Sequence, residues 1–394
     1  MGIYLDNAAT TQPKLEVVQA MLPYIYDEWY NPSALYNKSA KAKKAIDKAR
    51  KTIGDFINAE ANEIFFTSGG SESNCWAIQG FINYCISKGQ TPSIITSVIE
   101  HKSILSCVDN MNIDVHYVEV NDKGYINMEM LENILAFLSA HYPDNRVLVS
   151  IQFANNEIGT IQHIEDIAIL VHRYNAVFHT DAVQVFGHGI IDVKDLGIDM
   201  MSARGHKIGM CKGIGFLYKK NGVNINPLIY GTQMDAMRGG TENVPYIVGM
   251  AKAVELCKKQ WDDLMNRLAT ATTHVLTPAD IREYMICELK SKFNAKINGD
   301  EICRLCNNIN VTFPQNVTGE ALIYLLEMSE IYVSAGSACN AHSTEPSYVL
   351  KAIGLTDEEA ARTLRITLPE HCDKSIVDKV ICELEKQIRL LAIE

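Results

Sequence analysis

The sequence predicts an α/β fold, with a mostly parallel sheet in a large domain and a smaller α+β domain beside it. Three features carry that expectation. Between about residues 60 and 220, short apolar runs of strand length alternate with helical periodicities, the pattern of βαβ units. Past about residue 250 a long helical pattern is followed by two more strand-like runs outside that alternation. The chain also has 394 residues, more than one small core accommodates. The large domain is placed at residues 15–255, and the small one at 1–14 together with 256–394.

The elements follow in order. "KSAKAKKAIDKARKTIGDFINA" carries apolar residues at Ala42, Ile46, Ala49, Ile53, Phe56 and Ile57, which is helical spacing, with its lysines on the outer, solvated face. "EIFFTS" reads as a strand and "SESNCWAIQGFINYCI" as a helix. "PSIITSVI", "RVLVSIQF" and "AVFHT" read as further strands, then "IDMMSA" and "GIGFLY". "NNINVTF" and "LRITLP" are strands of the small domain. No repeat or low-complexity linker interrupts the chain.

Composition excludes several classes. Hydrophobic residues at 47% and charged residues at 21% are those of an ordinary globular protein. The net charge of -11 argues against nucleic acid as the main partner. No apolar run is long enough to span a bilayer. "MGIYLDNAATT" has neither a basic region nor an apolar one of the secretory kind, so a cytoplasmic protein is expected. Eleven cysteines without regular spacing suit a reduced set, and the "CRLC" pair, Cys303 and Cys306, reads as structural; no metal site is expected.

In parallel sheets ligands sit beyond the carboxyl ends of the strands. Gly70-Ser71 follows "EIFFTSG" and opens a helix, where backbone N–H groups and a hydroxyl can meet a phosphate. His101 follows "PSIITSVIE", Asn156 follows "RVLVSIQF", and Asp181 with Gln184 follows "AVFHT". Lys207 lies in a turn between two buried strands, where a lysine needs a partner or a neutral form. Each alone has a bland structural reading. One ligand accounts for the set: pyridoxal 5'-phosphate needs a lysine for its aldehyde, an acid at its ring nitrogen, a phosphate cup and a flat group over its ring. Lys207, Asp181, Gly70-Ser71 and His101 answer these needs in turn.

The motifs "YLDNAATT", "NPS", "FTSGGSES", "EHKSIL", "NNEIGT", "HTDAVQ", "GHK", "RGGTEN", "SAGSAC" and "EPSYVLKAIG" resemble those of the NifS/IscS-type cysteine desulfurases, of the class V aminotransferase family, over nearly the full chain. The resemblance implies the type I fold of pyridoxal-phosphate enzymes and a homodimer with sites at the subunit interface. It implies Lys207 as the cofactor lysine, Asp181 at the ring nitrogen and His101 stacked on the ring. Asn156 and Gln184 would bond cofactor or substrate, His206 would face the phosphate, and Thr241 would reach the phosphate in the other subunit. Arg365 matches the arginine that grips the substrate carboxylate. Cys339, in the Ser-, Ala- and Gly-rich "VSAGSACNAHSTEP", would carry the substrate sulfur as a persulfide. The implied reaction converts L-cysteine to L-alanine and passes sulfur to an acceptor protein, an iron–sulfur scaffold or a tRNA-thiolation enzyme.

The chain departs from the family pattern near the cofactor. Arg204 stands where a small hydroxyl residue is usual, so Arg204 is expected to lie outward or to join the phosphate cup. Gly209-Met210-Cys211 replaces a proline-containing turn, and in the glycine-rich segment that is "YGTQMDAMRGGT" here, Met234, Asp235 and Ala236 replace the Glu, Arg and Gly. Pro369-Glu370 stands in place of a Gly-Arg pair. Two alternatives therefore stay open: a divergent pyridoxal-phosphate lyase acting on a cysteine-like or selenocysteine substrate, and a weakly active scaffold homologue.

Overall fold

A short first strand, β1 (Ile3–Tyr4), leads into helices α1 (Leu15–Tyr26) and α2 (Asn37–Ile57). α2 buries Ala42, Ile46, Ala49, Ile53 and Ile57, the stripe marked by the sequence spacing, and Asn58 closes it in the left-handed conformation at φ 58°. The computed structural model describes residues 2–271, 275–314, 317–335 and 346–391.

The central sheet and its helices come next: β2 (Ile64–Thr67), α3 (Gly70–Ser87), β3 (Pro92–Ser97), α4 (Lys102–Asp109), β4 (Asp114–Val118), α5 (Met128–His141), β5 (Arg146–Ser150), α6 (Ile164–Arg173), β6 (Val177–Asp181), β7 (Met200–Arg204) and β8 (Gly215–Lys219). The strand order is β2-β8-β7-β6-β5-β3-β4. β3 pairs parallel with β4 and β5, β5 with β6, and β6 with β7. β8 alone runs against both its neighbours. The link from β7 to β8 explains the reversal. It covers only residues 205–214, too few for the crossover that a parallel partner requires. The sheet is thus mostly parallel, and β2, β3, β5, β6 and β7 end on one edge. β4 escaped the sequence reading because it is the sheet's edge strand and begins exposed, so it shows no apolar run.

Beyond the sheet come α7 (Val244–Thr270), α8 (Pro278–Phe293), β9 (Lys296–Ile297), β10 (Asn308–Thr312), α9 (Gly319–Met328), β11 (Ile331–Tyr332), β12 (Ser334–Ala335), α10 (Tyr348–Ala352), α11 (Asp357–Ala361), β13 (Thr363–Thr367) and α12 (Lys374–Leu391). α7 runs unbroken past residue 255, and its buried residues as far as Cys257 join the core of the large sheet. A second core forms around the antiparallel sheet β12-β13-β10-β9, with α8, α9 and α12 supplying Met285, Leu326 and Leu384. Leu5 belongs to this second core, and β1 pairs with β11. A third, small cluster packs Val349, Leu350 and Ile353 of the α10 region against Ile99 and Ile158, beside the carboxyl ends of β3 and β5.

Candidate active site

The strand ends open into a cavity of about 280 Å³. Gly70 and Ser71, at the start of α3, line it, and so do His101 after β3 and Asn156 after β5. Asp181 at the end of β6 and Gln184 beyond it also line it, with Arg204, His206 and Lys207 at the end of β7. Arg365 reaches it from β13 of the second sheet. Thr241 is exposed and does not line this cavity. Cys339 lies outside the described residues.

Lys207 sits in a single helical turn, Gly205–Lys207, and is only 7% exposed. Its ammonium donates to the carbonyl oxygens of Ala8 and, at 2.8 Å, of Ala9. These belong to the N-terminal stretch, which turns at residues 7–9 and touches much of the site. The Asp6 carboxylate takes a hydrogen bond from Arg365 Nη2 at 2.7 Å. Gln184 Nε2 donates to Ala8 O at 3.2 Å, and Thr10 Oγ1 meets His206 Nδ1 at 3.0 Å. Thr11 holds His206 O through both its N–H and its hydroxyl. Leu5 O accepts from Thr367 N, which fastens this stretch to the sheet that carries Arg365.

Asp181 ends a buried strand with both oxygens bonded. Oδ1 accepts Val183 N–H at 2.9 Å, and Oδ2 accepts Asn74 Nδ2 at 2.7 Å. These two donors hold the carboxylate in place. His101 caps α4: its Nδ1 accepts Ser103 N–H at 3.1 Å. Burial lowers its basicity, helped by the positive charges of Lys207 and Arg204 and opposed by Asp181. A neutral, flat imidazole beside the cavity suits contact with an aromatic face.

The other end of the cavity is built for an anion. Gly69, before α3, has φ 156° and ψ 179°, a region in which side chains are strained. A helix start leaves its first N–H groups unpaired, and Gly70 and Ser71, at this one, line the cavity. The Arg204 side chain runs alongside, with Nε 3.6 Å from where a Cβ on Gly69 would sit. His206 is pushed down to about 3 by burial and by the cations Lys207, Arg204 and Lys212. Its Nε2 is buried without a hydrogen-bond partner among the described residues. That orphan, two glycines and converging cations fit a phosphate. Arg365 is 2% exposed, and its Nε is likewise buried and without a hydrogen-bond partner among the described residues. Next to Nη1, which reaches Asn156 O at 3.3 Å, it fits a carboxylate.

Several residues at this site were not singled out from the sequence. Asn74 lies three positions after Ser71, on the same helix face, so helical periodicity could have found it. Ser103, Gln152 and Lys212 line the cavity as well. Ala8 and Ala9 act through backbone carbonyls, which leave no mark in residue chemistry.

Comparison with known proteins accords with this geometry. The aminotransferase class-V family model matches residues 3–380. A protein named cysteine desulfurase IscS from Methanosarcina thermophila is 43% identical over 96% of this chain and 90% of its own length. A second IscS, from Clostridium botulinum strain Hall, is 41% identical over 98% of this chain and 94% of its own length. Among solved structures, a NifS-like protein aligns at TM-score 0.86 with 31% identity, covering all of both chains. A structure titled SspA in complex with cysteine aligns at TM-score 0.78 with 36% identity, over 94% of this chain and all of that one. The chain belongs to the class-V aminotransferase family, among its pyridoxal-phosphate-dependent NifS/IscS-type cysteine desulfurases.

Proposed function

We propose that the protein removes sulfur from L-cysteine, releasing L-alanine. The observation that carries this reading is one cavity holding a buried lysine, a fixed carboxylate, a neutral imidazole, an anion cradle and a buried arginine. Lys207 would hold the aldehyde of pyridoxal phosphate and Asp181 its ring nitrogen, with His101 over the ring. Gly70, Ser71, Arg204 and His206 would hold the phosphate, and Asn156 and Gln184 would bond cofactor or substrate. Arg365 would take the substrate carboxylate. The bound cofactor supplies an electron sink that weakens bonds in the attached amino acid. Cys339 would then accept the sulfur: its thiol and L-cysteine give L-alanine and a Cys339 persulfide. A second thiol or an acceptor protein takes the sulfur onward.

The reading extends to a homodimer in the cytoplasm in which Thr241 of each subunit serves the site of the other, and to a sulfur-acceptor protein. The test is purified protein incubated with L-cysteine and a thiol reductant, with sulfide and alanine both measured. Equal amounts of the two support the reading. Pyruvate and ammonia in place of alanine would point to a lyase, and no product from a yellow holoprotein to another substrate. The same assay with selenocysteine sets the preference between the two amino acids.

A further inference from the structure

Asn74 sits one turn into α3, 1% exposed, between two groups assigned to the cofactor. Its Nδ2 donates to Asp181 Oδ2 at 2.7 Å and to Ser103 Oγ at 2.9 Å. Its Oδ1 is buried with no hydrogen-bond partner among the described residues. Turning the amide over would set that oxygen against the Asp181 carboxylate, so the orientation with nitrogen toward Asp181 is fixed by charge.

The donor order follows. Both Asn74 N–H groups are used, so the Ser103 hydroxyl accepts from Asn74 and has its own hydrogen to give. Its neighbour is His101 Nδ1, at 2.8 Å. Nδ1 also accepts Ser103 N–H. A ring nitrogen that accepts bears no proton, so neutral His101 carries its proton on Nε2. One amide therefore fixes the Asp181 carboxylate through one hydrogen and the tautomer and tilt of His101 through the other.

We propose that Asn74 is a positioning residue that couples the group at the cofactor's ring nitrogen to the group over its ring face, with Ser103 as the link to His101. The inference rests on the cofactor reading above. It gives α3 two tasks: its first turn cradles the anion and its second sets the ring. Nothing in the chain Asp181–Asn74–Ser103–His101 needs Asn74 to touch a reacting atom.

The test uses holoenzyme carrying Asn74→Ala, Asn74→Asp, Ser103→Ala, and the double change Asn74→Ala with Ser103→Ala. Four quantities are read: the absorption band of the bound cofactor, its rate of loss on dialysis, kcat and KM for L-cysteine. Asn74→Ala should lower kcat at least about tenfold with KM within about threefold, and should shift the absorption band. Asn74→Asp has nearly the same volume, so it preserves packing while placing a carboxyl against Asp181; it should do at least as much damage. Ser103→Ala should give a smaller loss, and the double variant should be no worse than Asn74→Ala alone, because Asn74 acts on His101 through Ser103. A wild-type band and kcat within twofold in Asn74→Asp would overturn the inference. So would losses that multiply in the double variant. A wild-type protein that forms no chromophore with pyridoxal phosphate would overturn the cofactor reading itself, and the inference with it.

Discussion

The Lys207 amine rests on the carbonyls of Ala8 and Ala9. A carbonyl accepts from an ammonium or from a neutral amine, so the contact survives loss of the proton that the amine would shed in the proposed attack on an aldehyde. The buried carboxyls behind the site make a different use of charge. Glu100 is pushed up to about 8 by burial, which outweighs its bonds from Ser97 Oγ and Gln152 N–H. Unfolded glutamate ionises near pH 4.3. Between about pH 5 and 8 the folded protein therefore keeps a proton that the unfolded chain has released, and stability falls as pH rises through that window, by up to about 1.4 kcal/mol per pH unit. Glu100→Gln is neutral throughout, while Glu157, raised to about 7 by its own burial, stays in both proteins. The thermal midpoint of Glu100→Gln should drop less between pH 6 and 8 than that of wild type; equal slopes would mean that Glu100 is charged when folded. Arg204 gives a second prediction. If its guanidinium serves the phosphate, Arg204→Ser should speed cofactor loss on dialysis by about tenfold, the worth of one charge-assisted hydrogen bond. An unchanged rate would assign Arg204 to other contacts. The site residues legible in the sequence are those whose side chains carry unusual chemistry after a strand, such as Lys207 and Asp181. Helical spacing from Ser71 puts Asn74 on the face of α3 that lines the site, but its task was not legible, because only the fold brings Asp181 to it.

Among elements, α3 joins the proposed phosphate cradle to the core through Gly69 and its buried face, and a bidentate ion pair ties its first turn to the loop before α7. Arg238 donates to Glu72 at 2.9 and 3.2 Å, and Glu72 Oε2 also accepts Ser68 N–H. That loop carries the departures noted in the sequence. Met234, Asp235 and Ala236 have φ of 46°, 59° and 60°, three successive left-handed residues where glycine would be unstrained. The sequence marked the departure at these positions but could not say that the backbone there is left-handed. Ala236→Gly should raise the stability of the protein by up to about 1 kcal/mol, the strain of one left-handed residue less the added freedom of the unfolded chain. A lower thermal midpoint would show that the turn is not strained at that position. The strand pattern was read well where strands are buried on both faces, as in β3 and β6, and poorly at the edge, where β4 lacks an apolar run. The direction of β8 was not legible from strand content; it follows from the shortness of the link from Arg204 to Gly215.

At the scale of the molecule, the N-terminal stretch binds the two cores together. Leu5 packs in the second core while Ala8 to Thr11 hold Lys207 and His206 of the first. Sequence reading grouped residues 1–14 with the small domain; only the contacts show that Ala8 and Ala9 among them line the cavity. Thr241 raises the remaining question, because it is exposed and absent from the cavity of its own chain. The Arg238–Glu72 pair, three residues away from it, anchors its loop beside the anion cradle. In the proposed homodimer each cradle is completed by the Thr241 of the other subunit. That arrangement has a consequence that a self-contained site lacks. Lys207→Ala and Thr241→Ala each damage both sites of a homodimer, the first within the chain and the second across the interface. In a mixed dimer the faults fall on one site. The cavity that keeps Lys207 lies in the Thr241→Ala chain and receives an intact Thr241 from the Lys207→Ala chain, so it is wholly wild type. Unfolding and refolding the two variants together, or co-expressing them under separate affinity tags, should therefore yield a mixed dimer with about half the wild-type activity and one tightly held cofactor per two chains. If Thr241 serves its own chain, the mixed dimer has one site without its lysine and one without its threonine, and its activity is no better than half that of the Thr241→Ala homodimer.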